Sequence, residues 1–144
     1  MKIESFEIKN FKGLRDMHLA SSRFVCVIGE NNAGKSSTLQ SIMRHLDGKK
    51  VEASTFFDPD LPIEIQMNIS NVESVDLSRV GAAHRSKIEE VLTEGRLSTI
   101  RRFRQSGATS EFWVVKKQPA DINLRRAAFE EKLKGKRAPG LAKA

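Results

Sequence analysis

A single cysteine, Cys26, stands in the whole chain, so no internal disulfide can form. Inside the run FVCVI it reads as a small hydrophobe in a strand. No apolar run approaches the roughly 20 residues that span a bilayer, which argues against a helical membrane protein. The opening residues, MKIESFEIKNF, alternate charged and apolar side chains and lack the hydrophobic centre of a secretory signal. Cysteines and histidines are too few and too scattered for a metal cluster, and no Ser-His-Asp arrangement is worth defending. His18, His45 and His84 sit in plain surface or helix contexts. Together these absences lead one to expect a cytoplasmic protein with no membrane partner.

What is present begins with charge. Basic residues number 25 and acidic residues 18, for a formal charge of +7. Residues 1–60 hold 9 basic against 8 acidic, residues 61–95 hold 3 against 6, and residues 96–144 hold 13 against 4. The positive field therefore lies in the last third. It suits a phosphate polymer or an acidic partner, and equally a bland basic surface. With 39% hydrophobic and 30% charged residues, the composition is that of a folded rather than a disordered chain. The length suits one domain.

Periodicity predicts a strand in KIESFEIKNF, with Phe6 and Ile8 on one face and Glu7 and Lys9 on the other. MHLA reads as a short second strand after a turn at KGLRD. Phe24–Ile28 is continuously apolar, as expected of a strand covered on both faces. After a small polar turn, Leu39, Ile42, Met43 and Leu46 recur at helical spacing and predict an amphipathic helix that stops at Gly48. STFFDPDLP is a loop. Ile63, Ile65, Met67 and Ile69 alternate with polar residues, which predicts a half-exposed antiparallel strand. AHRSKIEEVLTEG reads as a short helix with Ile88, Val91 and Leu92 inward. RLSTIRRFRQ and EFWVVKK flank SGATS as a hairpin, with Trp113 in core or sheet packing. From Ala120 a segment that begins helical ends in a basic run interrupted by glycine and proline.

Gly29, Gly34, Lys35 and Ser36 fit the pattern G-x-x-x-x-G-K-[ST], between a predicted strand and a predicted helix. The chemistry explains the residue types. A glycine-bearing turn lets consecutive N–H groups point inward as an anion nest. The first turn of the helix adds unpaired N–H groups and a positive dipole end. Lys35 would stand between terminal phosphates, and Ser36 would offer its hydroxyl to Mg²⁺. Ser37 is a further expected contact. A chance match in a glycine-containing loop is the competing reading, and the flanking elements weigh against it.

IKNFKGL, a short gap, then VIGENNAGKSSTLQSI resembles the N-terminal segment of ABC-type ATPases of the SMC, RecF and OLD-nuclease kind. Those proteins open with a strand reading roughly I-x-N-F-(K/R)-(G/S). They continue to a loop reading G-x-N-(N/G)-(A/S)-G-K-(S/T)-(S/T). STIRRFRQSGATSEFWVVKK is similar to the paired strands such heads carry after the loop helix. The resemblance implies an α/β P-loop NTPase fold: part of an ABC-ATPase head with a mixed sheet, in which a central strand, the loop and a helix join an antiparallel β subdomain. It implies ATP at Gly29, Asn31, Asn32, Ala33, Gly34, Lys35, Ser36 and Ser37, with Mg²⁺ at Ser36. Main-chain atoms near Lys12 and Gly13 would lie close to the nucleotide, or the stretch Asn10–Gly13 is simply a strand end and turn. Asn32 takes a position where many relatives have glycine, a turn site that tolerates φ > 0, and asparagine is the next residue able to sit there.

The departures from the family matter as much. A complete head needs an apolar strand ending in an acidic pair, and no such pattern occurs here. Glu89–Glu90 and Glu130–Glu131 lie in helical patterns and read as solvated faces. DLSRVGAAH is a chance echo of the signature loop. Gln105 and Gln118 stand in no convincing strand-to-loop context. The chain thus resembles the first half of one lobe, whether as a fragment, a truncation or one piece of a split protein. No catalytic residue is assigned, and hydrolysis by this chain alone is not expected. The expected organisation is a head portion over residues 1–120 and a basic tail over 121–144. The expected partners are ATP, DNA through a full-length assembly, and a second copy or subunit that completes the head. Repair or anti-phage defence is the implied setting. A non-enzymatic module that binds nucleic acid or a partner and keeps a vestigial loop is the alternative. A GTPase is disfavoured because no N-K-x-D motif occurs.

Overall fold

A computed structural model describes residues 1–107 and 109–116. The expectations for the tail from residue 121, including Glu130–Glu131, and for Gln118 fall outside these described residues. Five strands form one sheet: β1 (Lys2–Phe11), β2 (Leu14–Ala20), β3 (Ile63–Ser70), β4 (Leu97–Phe103) and β5 (Glu111–Val115), in the order β2-β1-β3-β4-β5. Every pairing is antiparallel. Three helices lie between them in sequence: α1 (Lys35–Asp47), α2 (Ser74–Ser78) and α3 (Ala82–Val91). Among the described residues no helix is long and apolar enough to cross a membrane.

The sheet follows from alternation. Ile8 pairs with Ile65 and Phe6 with Met67, so the apolar sets of β1 and β3 share one face. That face carries the core: Phe6, Ile8, Phe11, Ile63, Ile65, Met67, Ile69 and Phe103, joined by Phe56 from the loop before β3. Each fully buried isoleucine contributes about 2–3 kcal/mol of transfer free energy. The opposite face is polar. Asp16, Lys9, Glu64, Arg102 and Glu111 succeed one another across the five strands, alternating in sign. Arg102 bonds Glu64 at 2.6 Å, and Arg104, just beyond β4, bonds Glu111 at 3.1 Å. Arg102 and Arg104 are therefore engaged within the sheet.

Three expectations need correction. Phe24–Ile28 forms no strand, and Phe24 and Ile28 are 80% and 88% exposed. A strand needs a neighbour, and no described strand pairs with this run. Cys26 is accordingly exposed rather than packed. The apolar stripe of α1 also faces outward: Leu39, Met43 and Leu46 are exposed, while Thr38, Ser41 and His45 are buried. Of the predicted stripe only Ile42 is partly buried and packs against the core, so the side of α1 that meets the sheet is mostly polar. Trp113 and Phe112 are about half exposed on β5, the last strand of the sheet, although one side of Phe112 meets Arg101 and His45.

His45 is the surprise of that interface, since its sequence context suggested nothing special. It is 1% exposed. Its Nδ1 lies 2.9 Å from the Ile65 carbonyl and its Nε2 lies 3.0 Å from the Thr99 hydroxyl. A neutral ring satisfies both contacts, with Nδ1–H donating and Nε2 accepting. Burial holds its pKa below the ordinary 6.5, partly opposed by the bond to Ile65 and assisted by the charge of Arg101. In the unfolded chain the imidazole takes up its proton near 6.5, before the buried ring does. The stability from a neutral His45 is thus complete above that pH and declines below it, down to the lower folded value. Urea titrations at about pH 7.5 and about pH 5.5 should show His45→Gln at a smaller disadvantage at the lower pH.

Candidate functional site

The loop that precedes α1 is set by two left-handed residues. Asn32 has φ 70° and Gly34 φ 87°. The positive φ expected at Asn32 is thus observed, and asparagine tolerates it better than other side chains. Gly34 is constrained twice, because a Cβ there would also come within 2.9 Å of Leu14 Cδ2. Between them the Ala33 N–H bonds the Glu30 carbonyl at 3.1 Å and closes a turn. Gly34 is the N-cap of α1 and has no side chain to satisfy the first turn; no acidic residue lies in that turn. The N–H groups of Lys35, Ser36 and Ser37 thus open α1 without a capping side chain.

Lys35 folds back over this loop. Its Nζ donates to the carbonyls of Gly29 at 2.5 Å and Glu30 at 2.7 Å. Ser36 is exposed and Ser37 half buried. Thr38 is buried, with its hydroxyl 3.0 Å from the Gly34 carbonyl and 3.4 Å from Met17 Sδ, so it anchors the helix start to the loop and to β2. Residues 29–37 therefore form one continuous feature: a bent loop, an ammonium across it and an uncapped helix start. It suits an anion approached by main-chain N–H groups.

The turn between β1 and β2 lies beside this feature. Leu14 abuts Gly34, and Lys12 Nζ donates to Gln40 of α1 at 2.6 Å. A groove of about 350 Å³ runs along α1, bordered by Lys12, Gln40, Arg44, Lys50, Val51 and Glu52. Asn10 belongs elsewhere. Its side chain turns into the loop before β3, donating to the carbonyls of Asp58 at 2.9 Å and Leu61 at 2.7 Å and accepting from the Asp58 N–H at 2.7 Å. Asn10 is thus a loop staple, which decides for that residue in favour of the structural reading. Sequence spacing held no sign of this, because the partners lie 48 and 51 residues away. Glu89 and Glu90 are exposed on α3, as expected of a solvated face.

This loop, helix and antiparallel sheet define a class. Residues 1–134 match the AAA ATPase domain family, and the chain belongs to it. The Old nuclease of Escherichia phage P2 is 28% identical over 102 residues, covering 71% of this chain but only 17% of the nuclease. The chain thus corresponds to about one sixth of that relative's length. A solved SMC ATPase structure, studied for ATP-driven dimerization and DNA-stimulated activation, matches with a TM-score of 0.55 at 18% identity, over 81% of this chain and 71% of its own. The fold is that of part of an ABC/AAA-type P-loop ATPase head, and the described sheet is its antiparallel portion.

Proposed function

We propose that this chain is the ATP-binding portion of an ABC-type ATPase head from a DNA-processing protein of repair or anti-phage defence. The observation that carries the proposal is the loop at 29–37, where left-handed Asn32 and Gly34 lead into an uncapped helix under the Lys35 ammonium. Gly29, Asn31, Asn32, Ala33 and Gly34 would wrap the phosphates with main-chain groups. Lys35 would leave its two carbonyls for the terminal phosphates, and the N–H groups of Ser36 and Ser37 would complete the nest. Mg²⁺ would be held by the exposed Ser36 hydroxyl together with phosphate oxygens, and would neutralise charge there.

Hydrolysis would need an acidic group and a signature loop from outside this sequence. The outward apolar residues Phe24, Ile28, Leu39, Met43 and Leu46 support a further layer that completes the head, from more chain, a partner subunit or a second copy. DNA would be engaged by that larger assembly, as the DNA-stimulated activation of the SMC ATPase neighbour suggests. The described sheet face favours this over direct binding, since Arg102 and Arg104 are paired with Glu64 and Glu111.

The metal assignment has its own test. In wild type, ATP should bind about tenfold more tightly with Mg²⁺ than with EDTA, in line with one added charge contact. Ser36→Ala should remove most of that difference and leave binding in EDTA unchanged. Equal Mg²⁺ dependence in the two proteins would refute the role of Ser36.

A further inference from the structure

Arg101 belongs to β4, yet its guanidinium serves α1. Nε–H donates to the His45 carbonyl at 2.7 Å, and Nη1 donates to Ser110 Oγ at 3.0 Å. The Ser110 hydroxyl donates in turn to the Gly48 carbonyl at 3.1 Å. The guanidinium lies 4.7 Å from the centre of the Phe112 ring. His45 lies in the last turn of α1 and Gly48 is its C-cap, with φ 65°. A helix leaves the carbonyls of its last turn unpaired, and a cation there meets the negative end of the dipole. Arg101 satisfies one such carbonyl directly and reaches a second through Ser110. Gly48 leaves the room for this, because a Cβ there would collide with Arg101 Nη1.

The rest of the α1 interface is mostly polar. Its fully buried side chains are Thr38, Ser41 and His45, with Ile42 its partly buried apolar contact on the core and His45 bonded to Ile65 and Thr99. Ser41 bonds only within the helix, to the Thr38 carbonyl at 2.7 Å. With only one apolar contact on the core among the described residues, such a helix depends on the polar contacts at its C-terminal end for its tilt. At 13 residues α1 is about 20 Å long, so a tilt of about 5° at its C-terminal end moves its first turn by about 1.7 Å. Hydrogen bonds to a phosphate do not survive such a displacement unchanged.

We infer that Arg101, acting with Ser110, is a positioning residue for the nucleotide loop. By holding the C-terminal end of α1 against the β4–β5 hairpin, it sets where Lys35 and the first-turn N–H groups stand. This rests on the nucleotide reading of residues 29–37 proposed above. The fork of Arg101 is what the arrangement uses, since a lysine ammonium cannot span the two acceptors with the same planar geometry.

The test is calorimetric titration of the 144-residue chain with Mg-ATP, well below the melting temperature, with thermal melts recorded in parallel. Arg101→Ala and Arg101→Lys should each raise Kd about tenfold, and Ser110→Ala about threefold, as expected for contacts that orient rather than touch the ligand. Ser110→Thr, which keeps the hydroxyl, should restore the wild-type Kd. Should the Arg101 variants fail to fold, the Ser110 pair decides the matter. A purely structural clamp would lower the melting temperature and leave Kd unchanged in the folded variants, and that result overturns the inference. No saturable ATP binding by wild type overturns the nucleotide reading itself, and the positioning role with it.

Discussion

Lys35→Ala should weaken Mg-ATP binding by about 100-fold, close to 2.7 kcal/mol, while leaving the fold intact. The magnitude follows from charge-assisted bonds between an ammonium and phosphate oxygens, each worth about twice a neutral bond. The fold should survive because, among the described residues, Lys35 Nζ hydrogen-bonds only the loop carbonyls of Gly29 and Glu30. Lys35→Arg should be no substitute, since a planar guanidinium does not fit where a compact point charge folds back across the loop. Equilibrium binding of a fluorescent ATP analogue, with circular dichroism to confirm folding, checks both statements. A variant that is folded and binds as wild type would remove Lys35 from the site.

Asn10→Ala should cost about 4 kcal/mol of stability, a large share of the roughly 5–15 kcal/mol available to a domain. Asn10 is buried and holds the loop before β3 through bonds to Asp58 and Leu61. Alanine leaves those main-chain groups unpaired. It must also hold φ 60°, a left-handed value that asparagine tolerates and alanine resists by about 1 kcal/mol. Asn10→Gly removes the bonds and not the backbone freedom, so it should be about 1 kcal/mol less damaging than Asn10→Ala. Urea unfolding of the three proteins gives the comparison. A loss of less than about 1 kcal/mol in Asn10→Ala would contradict the staple.

Much of the fold was legible because it rests on short-range patterns. The strict alternation from Ile63 to Ser70 specifies one buried face, and the observed core uses it. Gly48 ends α1 in the left-handed conformation its position suggested. The bend at residues 29–37 was legible for the same reason, since its left-handed Asn32 and Gly34 and the helix start at Lys35 lie within nine consecutive residues. What could not be read depends on partners distant in sequence. Asn10, His45 and Arg101 take their roles from groups 48, 20 and 56 residues away. The stripe Leu39–Met43–Leu46 identifies a face that should be covered and does not say by what. The same holds for Phe24–Ile28, whose pattern demands neighbours on both sides, whereas the described residues supply none.

The central claim is that this chain holds Mg-ATP at residues 29–37 and lacks the groups to hydrolyse it. It is tested most directly by incubating the wild-type chain with equimolar radiolabelled Mg-ATP, separating protein from free nucleotide, and identifying what remains bound. The account predicts nearly one nucleotide per chain, recovered as ATP, with no ADP above a protein-free control. No bound nucleotide would contradict the site, and steady accumulation of ADP would contradict its catalytic incompleteness.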